Sequence, residues 1–423
     1  MWGKMLKKLL LGLVIFIVFI ILLVWWIRTD EDLSPEAKEL LGENYKINPN
    51  LVDHPYFYYL GIDAKDNVDP IQLGRMRYYM GWSNHVNDHE SKSLAALDKQ
   101  SRGASLSEEQ VEQINHLKKL WDDEGVEAFS KYIAEHRVEM QKLVADNQMG
   151  LKRLNHLLNL DQYELLTASP DTESNIKYVF HLMWIDLVNT ELNQDKKIQS
   201  YLETYKEWNT FNQKPISLIE KVVSNLHLER LIDLIRNEQL KKQNSDLVQL
   251  EVFKQDQLTL KSGIRDTMVI SHFVNLNLVY DMKAYTTWLY LPIKTTNQMA
   301  EDLYPYKTLS ELPYDQLKKN LGHVKLKKRY KYALKNSVGN ILAQVARVDL
   351  EQYLVDNHIA NNKVIVFNTL NQGISDVDTL NKNKQGYEFY KTKTELCIKN
   401  PHPNAKFLEN PRSQRDSCVR MVL

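Results

Sequence analysis

The first apolar stretch of the chain is also its longest. Leu9 to Ile27 runs for nineteen residues without a charge, and no later stretch approaches eighteen consecutive apolar positions. As a helix it would be about 28 Å long, close to the thickness of a bilayer hydrocarbon core, so the pattern predicts one membrane-spanning helix over 9–27. Lys4, Lys7 and Lys8 precede the run, while Arg28, Asp30, Glu31 and Asp32 follow it. Clustered lysines keep their side of a span in the cytoplasm, which assigns residues 1–8 to the cytoplasm and about 395 residues to the far side. Trp25 and Trp26 fall where indoles rest at the headgroup layer. A cleaved signal peptide has a shorter apolar region and a small-residue cleavage site. Val24-Trp25-Trp26-Ile27-Arg28 offers no such site, so an uncleaved signal-anchor of a single-pass protein is expected.

Beyond the anchor the pattern changes from continuous to periodic. Residues 28–55 read as a polar stalk with one short helix, capped by Ser34, opened by Pro35 and stopped by Gly42. An aromatic patch follows, Tyr56 to Tyr59, and Asp69-Pro70 opens the next helix. From about residue 105 to 283 apolar residues recur at three-and-four spacing. Ser107 with Gln110 forms a capping box before Val111, Ile114, Leu117 and Trp121. A second helix carries Val126, Phe129, Ile133, Met140, Leu143 and Val144, and Ser169-Pro170 caps another. Over 216–240, Ile219, Val222, Val223, Leu226, Leu228, Leu231, Ile232 and Ile235 keep the same spacing. Each helix reads as one apolar stripe with one charged face, and such stripes bury one another in a bundle or irregular array. After residue 360 the pattern turns β-prone at Val364–Phe367, Tyr387–Thr392, Leu396–Ile398 and Cys418–Leu423. The expected architecture is mainly α: an anchor at 9–27, a stalk at 28–55, a helical domain at 56–360 and a small β-containing region at 361–423.

Composition supports helices, since 14 glycines and 12 prolines in 423 residues are few for sandwiches, barrels or glycine-rich phosphate loops. Basic and acidic residues balance at 54 each, so no global field selects nucleic acid as a partner. The two cysteines, Cys397 and Cys418, lie near the C-terminus, and a disulfide between them suits an oxidising compartment.

Candidate chemistry is sparse. His85 and His89 would share a helix face in ligand geometry for zinc. No third ligand is identifiable, and a polar surface turn competes. Ser174-Asn175-Ile176-Lys177 matches S-x-x-K, but the companion motifs of such enzymes are missing and the match is set aside. No nucleophile elbow, phosphate loop or dinucleotide fingerprint occurs, and no cofactor is implied. Between Gln316 and Val348 nine basic residues stand with no acid. At its centre Lys325, Lys327, Lys328, Arg329 and Lys331 form a docking patch for anionic lipid, a glycan or an envelope protein. The competing reading is a solvated helix paired with acids of the same chain, such as Glu108, Glu109, Glu112, Asp122, Asp123, Glu124 and Glu127.

Tyr58-Tyr59-Leu60-Gly61-Ile62-Asp63-Ala64, Asp69-Pro70 with Gly74-Arg75, Leu291 to Asn297, and Asn336-Ser337-Val338-Gly339 together resemble a family of gammaproteobacterial inner-membrane proteins. These have one N-terminal span and a helical periplasmic domain. The family's third piece reads Pro-Asn-x-Thr-x-Asn, and Ile293 replaces its first asparagine here. The family has no assigned activity, so the resemblance implies architecture and a Gram-negative envelope location only. The function expected is a membrane-anchored periplasmic scaffold that docks a partner, and the alternative is a periplasmic enzyme acting on cell-wall or lipid-linked carbohydrate.

Overall fold

The computed structural model describes residues 2–42, 51–83, 98–101, 103, 106–161, 163, 166, 173–193, 197–242, 248–254, 258–281, 290–324, 335–345, 350–383, 386–400 and 416–421. Seventeen described helices precede three short strands. The first eight helices are α1 (Trp2–Arg28), α2 (Pro35–Leu41), α3 (Pro55–Leu60), α4 (Pro70–Ser83), α5 (Glu108–Glu124), α6 (Val126–Glu135), α7 (Arg137–Asp146) and α8 (Gln148–Leu158). Then come α9 (Glu173–Leu192), α10 (Lys197–Asn212), α11 (Leu218–Lys242), α12 (Lys261–Asp281), α13 (Pro292–Ser310), α14 (Tyr314–Asn320), α15 (Ser337–Val345), α16 (Leu350–Asn371) and α17 (Val377–Asn383). The strands are β1 (Phe389–Lys391), β2 (Glu395–Ile398) and β3 (Ser417–Arg420).

The chain divides into two compact units. Unit 1 comprises Met1–Lys46, Thr267–Tyr306 and Lys325–Val348, and unit 2 comprises Ile47–Asp266, Lys307–Val324 and Asp349–Leu423. The first part of the expected stalk, residues 28–42, falls in unit 1.

In unit 1, α1 is one continuous helix over the N-terminal apolar run, with side chains described from Val14 onward. Those side chains are bare on every side: Val14 to Leu22 are 41–61% exposed, and Trp25 and Trp26 are 66% and 49% exposed. Among the described residues no helix is long and apolar enough to cross a membrane. The chain after α1 is fastened by hydrogen bonds. The Asp30 carboxylate accepts from the Ile293 and Lys294 amides at 2.8 and 3.0 Å, capping the first turn of α13. Asn297 donates to Glu31 and to the Asp32 carbonyl, and its own oxygen accepts from the Ser34 amide. Ser34 caps α2 as the sequence predicts.

Unit 2 is built around α11, which packs chiefly on α10 and α16. The expectation of one apolar stripe per helix fails here. Within 220–239 every residue is buried except Val222, Leu226, Glu229 and Asp233. Some of its buried polar groups pair across the core: Glu220 accepts from the Tyr163 hydroxyl at 2.6 Å, and Asn225 links Asn212 to Asn357. The helix expected over 126–144 is two, broken at His136, whose φ of −106° and ψ of 32° leave the helical range. The capping box at Ser107 and Gln110 is present, while Ser169-Pro170 lies outside the described residues.

The β-prone reading of Val364–Phe367 is corrected. These residues lie in α16, which also runs across the boundary expected at residue 360. A buried run of β-branched residues is equally suited to a helix surrounded by protein, and α16 buries nearly all its circumference. The later expectations hold. The strands form an antiparallel sheet in the order β1-β2-β3, and Cys397 faces Cys418 across β2 and β3. Their sulfurs are bonded.

Candidate functional site

α11 leaves one stripe half-buried. Val222, Leu226, Glu229 and Asp233 follow each other by four, three and four residues, the spacing of a single helix face. Leu226, Glu229 and Asp233 floor a cleft of about 630 Å³. The end of α5 supplies Lys118, Trp121, Asp122 and Asp123, and α9 contributes Phe180. α16 brings Ile359 and Lys363, and the entry to β3 brings Asp416, Ser417 and Cys418. A second hollow of about 400 Å³ shares Trp121, Asp122, Asp123, Asp233 and Cys418, and adds Arg236, Glu395 and Arg420. Both volumes lie in the range of small-molecule sites.

The lining is firmly held. Lys363 donates to Asp233 at 2.6 Å, joining α16 to α11. Asp416 accepts from the Tyr390 hydroxyl at 2.7 Å and from the Asn400 amide at 3.0 Å. The Ser417 hydroxyl donates to the Ile359 carbonyl at 2.9 Å, and the disulfide fixes β3 behind both residues. The Arg230 guanidinium lies 4.2 Å from the centre of the Trp184 ring, and Lys118 lies 5.7 Å from that of Phe180. Desolvation pushes the Asp233 carboxyl above its ordinary range, Lys363 opposes this, and the nearby Glu229 and Glu395 add to it. Glu229 and Asp233, one turn apart, place their Cβ atoms about 5–6 Å from each other.

The residues singled out from sequence fare differently. Cys397 and Cys418 are brought together beside this cleft. His85 and His89 lie outside the described residues, as do Lys325, Lys327, Lys328, Arg329 and Lys331. At the edges of the basic segment, Lys318 pairs with Glu388 at 3.3 Å and Lys335 lies 5.4 Å from the centre of the Trp26 ring. Of the acids offered as internal partners, Glu127 pairs with Arg420. Glu395, Cys397 and Cys418 gather within metal-ligand reach, but bonded sulfurs are spent as thiolate ligands.

The aromatic patch is core rather than docking surface, since Tyr56, Phe57 and Tyr59 are all at most 5% exposed. The sequence pieces around it are structural. A Cβ at Gly74 would collide with the Phe57 carbonyl, so the glycine lets α3 and α4 touch backbone to backbone. Arg77 binds Asp63, Asp98 and the Leu60 carbonyl, and Arg153 gathers the carbonyls of Ile62, Ala64 and Lys65. Asn175, within the discarded S-x-x-K, is buried and also donates to the Leu60 carbonyl. In unit 1 the two later pieces meet. The Asn336 side-chain oxygen accepts from the Leu291 amide at 2.8 Å, and a Cβ at Gly339 would strike Thr295 and Asn336.

Sequence reasoning missed the cleft. The charges of Glu229, Arg230, Asp233 and Arg236 do not single it out, because Glu220, Lys221, Glu238, Lys241 and Lys242 lie in the same helix. No protein family model, curated protein or solved structure matches the chain.

Proposed function

We propose that the chain is a single-pass, membrane-anchored interaction protein of the bacterial envelope, with residues 1–8 in the cytoplasm, a span over 9–27 and the helical body in the periplasm. The observation that carries this is the exposure of large apolar side chains along α1 from Val14 to Leu22 and at Trp25 and Trp26. Soluble proteins rarely leave such a surface bare, whereas lipid covers it. Lys4, Lys7 and Lys8 supply the cytoplasmic bias, and the bonded cysteines suit an oxidising compartment. The Gram-negative envelope follows the resemblance described above. Docking, the role this reading gives the body, draws on a charged cleft with firmly held walls. Fusing reporters after residue 45 tests the topology. Alkaline phosphatase is expected to be active there and a cytoplasm-dependent fluorescent reporter dark; the opposite pattern overturns the reading.

A second reading, an envelope enzyme acting on carbohydrate, draws on Glu229 and Asp233. Two carboxyls one turn apart on a helix face that lines a cleft, one of them held above the ordinary carboxylate range, are the kind of groups glycoside hydrolysis uses.

A further inference from the structure

We infer that the α11 cleft is a binding site for a neutral, linear oligosaccharide. This names the ligand class for the interaction reading, and its test is independent of how the chain lies in a membrane.

Three features select that chemistry. The first is shape. Two hollows of about 630 and 400 Å³ share Trp121, Asp122, Asp123, Asp233 and Cys418, which makes them adjoining compartments of one trough. A linear oligomer fills such a trough unit by unit, where a compact ligand would use one compartment.

The second is charge. The lining carries seven carboxyl groups against five cationic side chains, with Asp233 on Lys363 at 2.6 Å. A polyphosphate needs a cation excess, which this lining lacks. The trough offers instead closely set acceptors and donors, which a hydroxyl uses at once because it both donates and accepts.

The third is the apolar share of the wall. Trp121 and Phe180 are half-buried and face the same cavity as Leu226 and Ile359. Sugar rings carry C–H faces that rest on aromatic planes while their hydroxyls reach carboxylates. A fatty acyl chain would find too many charges here to desolvate. The half-buried stripe of α11 fits the same picture. A central helix otherwise buried over 220–239 leaves Leu226, Glu229 and Asp233 half-buried, and they line the trough.

The test is titration calorimetry of the full chain in lipid nanodiscs, which avoids sugar-headed detergents. The probes are the tetramers of β-1,4-linked N-acetylglucosamine, β-1,4-linked glucose and α-1,4-linked glucose, with tetralysine and tetraphosphate as charged comparators. At least one neutral tetramer is expected to bind, and neither comparator is. Trp121→Ala is expected to weaken binding by about tenfold or more. Because Trp121 also packs on Phe129 and Trp184, the double variant Asp122→Asn with Asp123→Asn is the companion. Both carboxylates are exposed, so their loss should leave folding intact while reducing affinity several-fold. Failure of all three sugars overturns the inference, as does binding that neither variant alters, or capture of tetralysine or tetraphosphate in preference to every sugar.

Discussion

His358 stands in the core of unit 2 with 2% of its surface exposed, its ring 5.0 Å from that of Tyr314. Neither ring nitrogen has a hydrogen-bond partner among the described residues, and burial pushes its pKa down from 6.5 to about 4. The folded state therefore holds the imidazole neutral while the unfolded chain protonates it. This contribution to stability is complete above about pH 6.5 and is lost as pH falls towards 4, at most about 3 kcal/mol in all. His227, His181 and His272 are lowered by burial too and add to the same loss. Denaturant melts between pH 7.5 and 4.5 should show stability falling with acid. His358→Phe keeps the ring against Tyr314 and is expected to flatten that slope; an unchanged slope would show that the histidine does not titrate on unfolding. No sequence pattern marked His358. A histidine within Asp356-Asn357-His358 reads as a polar turn, and only the position of α16 inside unit 2 buries it.

At the scale of elements, local chemistry was the most legible part. Ser34 with Pro35, Asp69 with Pro70, and Ser107 with Gln110 all open helices, because a cap is decided by three or four neighbouring residues. What depends on surroundings was not legible. Val364–Phe367 has strand composition but lies in a helix buried nearly all round, and α11 carries polar groups towards the interior, where Tyr163 meets Glu220, Asn357 meets Asn225 and Lys363 meets Asp233. The strands were legible in position because alternation and the two cysteines agreed on them. β3 depends on that agreement: it is four residues long, holds an edge of the sheet and carries Ser417 and Cys418 to the cleft. With a sequence separation of 21, the disulfide closes a loop worth about 3 kcal/mol in the chain-entropy account. Purified protein should show no free thiol to a maleimide under denaturing conditions until it is reduced. Reduction, or Cys397→Ser with Cys418→Ser, should lower the unfolding midpoint in denaturant, and equal midpoints with and without reductant would mean that the bridge does not hold β3.

For the whole molecule, α1 and the rest of unit 1 meet at a few residues whose roles can be separated by where the chain is cut. α1 ends at Arg28, and the hydrogen bonds to α13 begin two residues later at Asp30. Asp30 caps α13, Asn297 holds Glu31, Asp32 and Ser34, and Ala37, Leu40 and Leu41 of α2 are buried. Residues 30–41 thus belong to the fold of unit 1, although by composition they resemble a tether. A chain starting at Thr29 keeps all of these contacts and loses only the exposed apolar helix. A chain starting at Glu43 also loses the α13 cap and the α2 core side chains, which leaves the first α13 amides and Asn297 without these partners. The full-length protein is expected to stay with membranes through alkaline extraction. The chain from Thr29 should be released as a folded, helical, protease-resistant protein, and the chain from Glu43 should be degraded through unit 1. If both truncations were equally resistant, residues 30–41 would be a passive stalk after all, and if the chain from Thr29 still pelleted with membranes, attachment would lie outside α1.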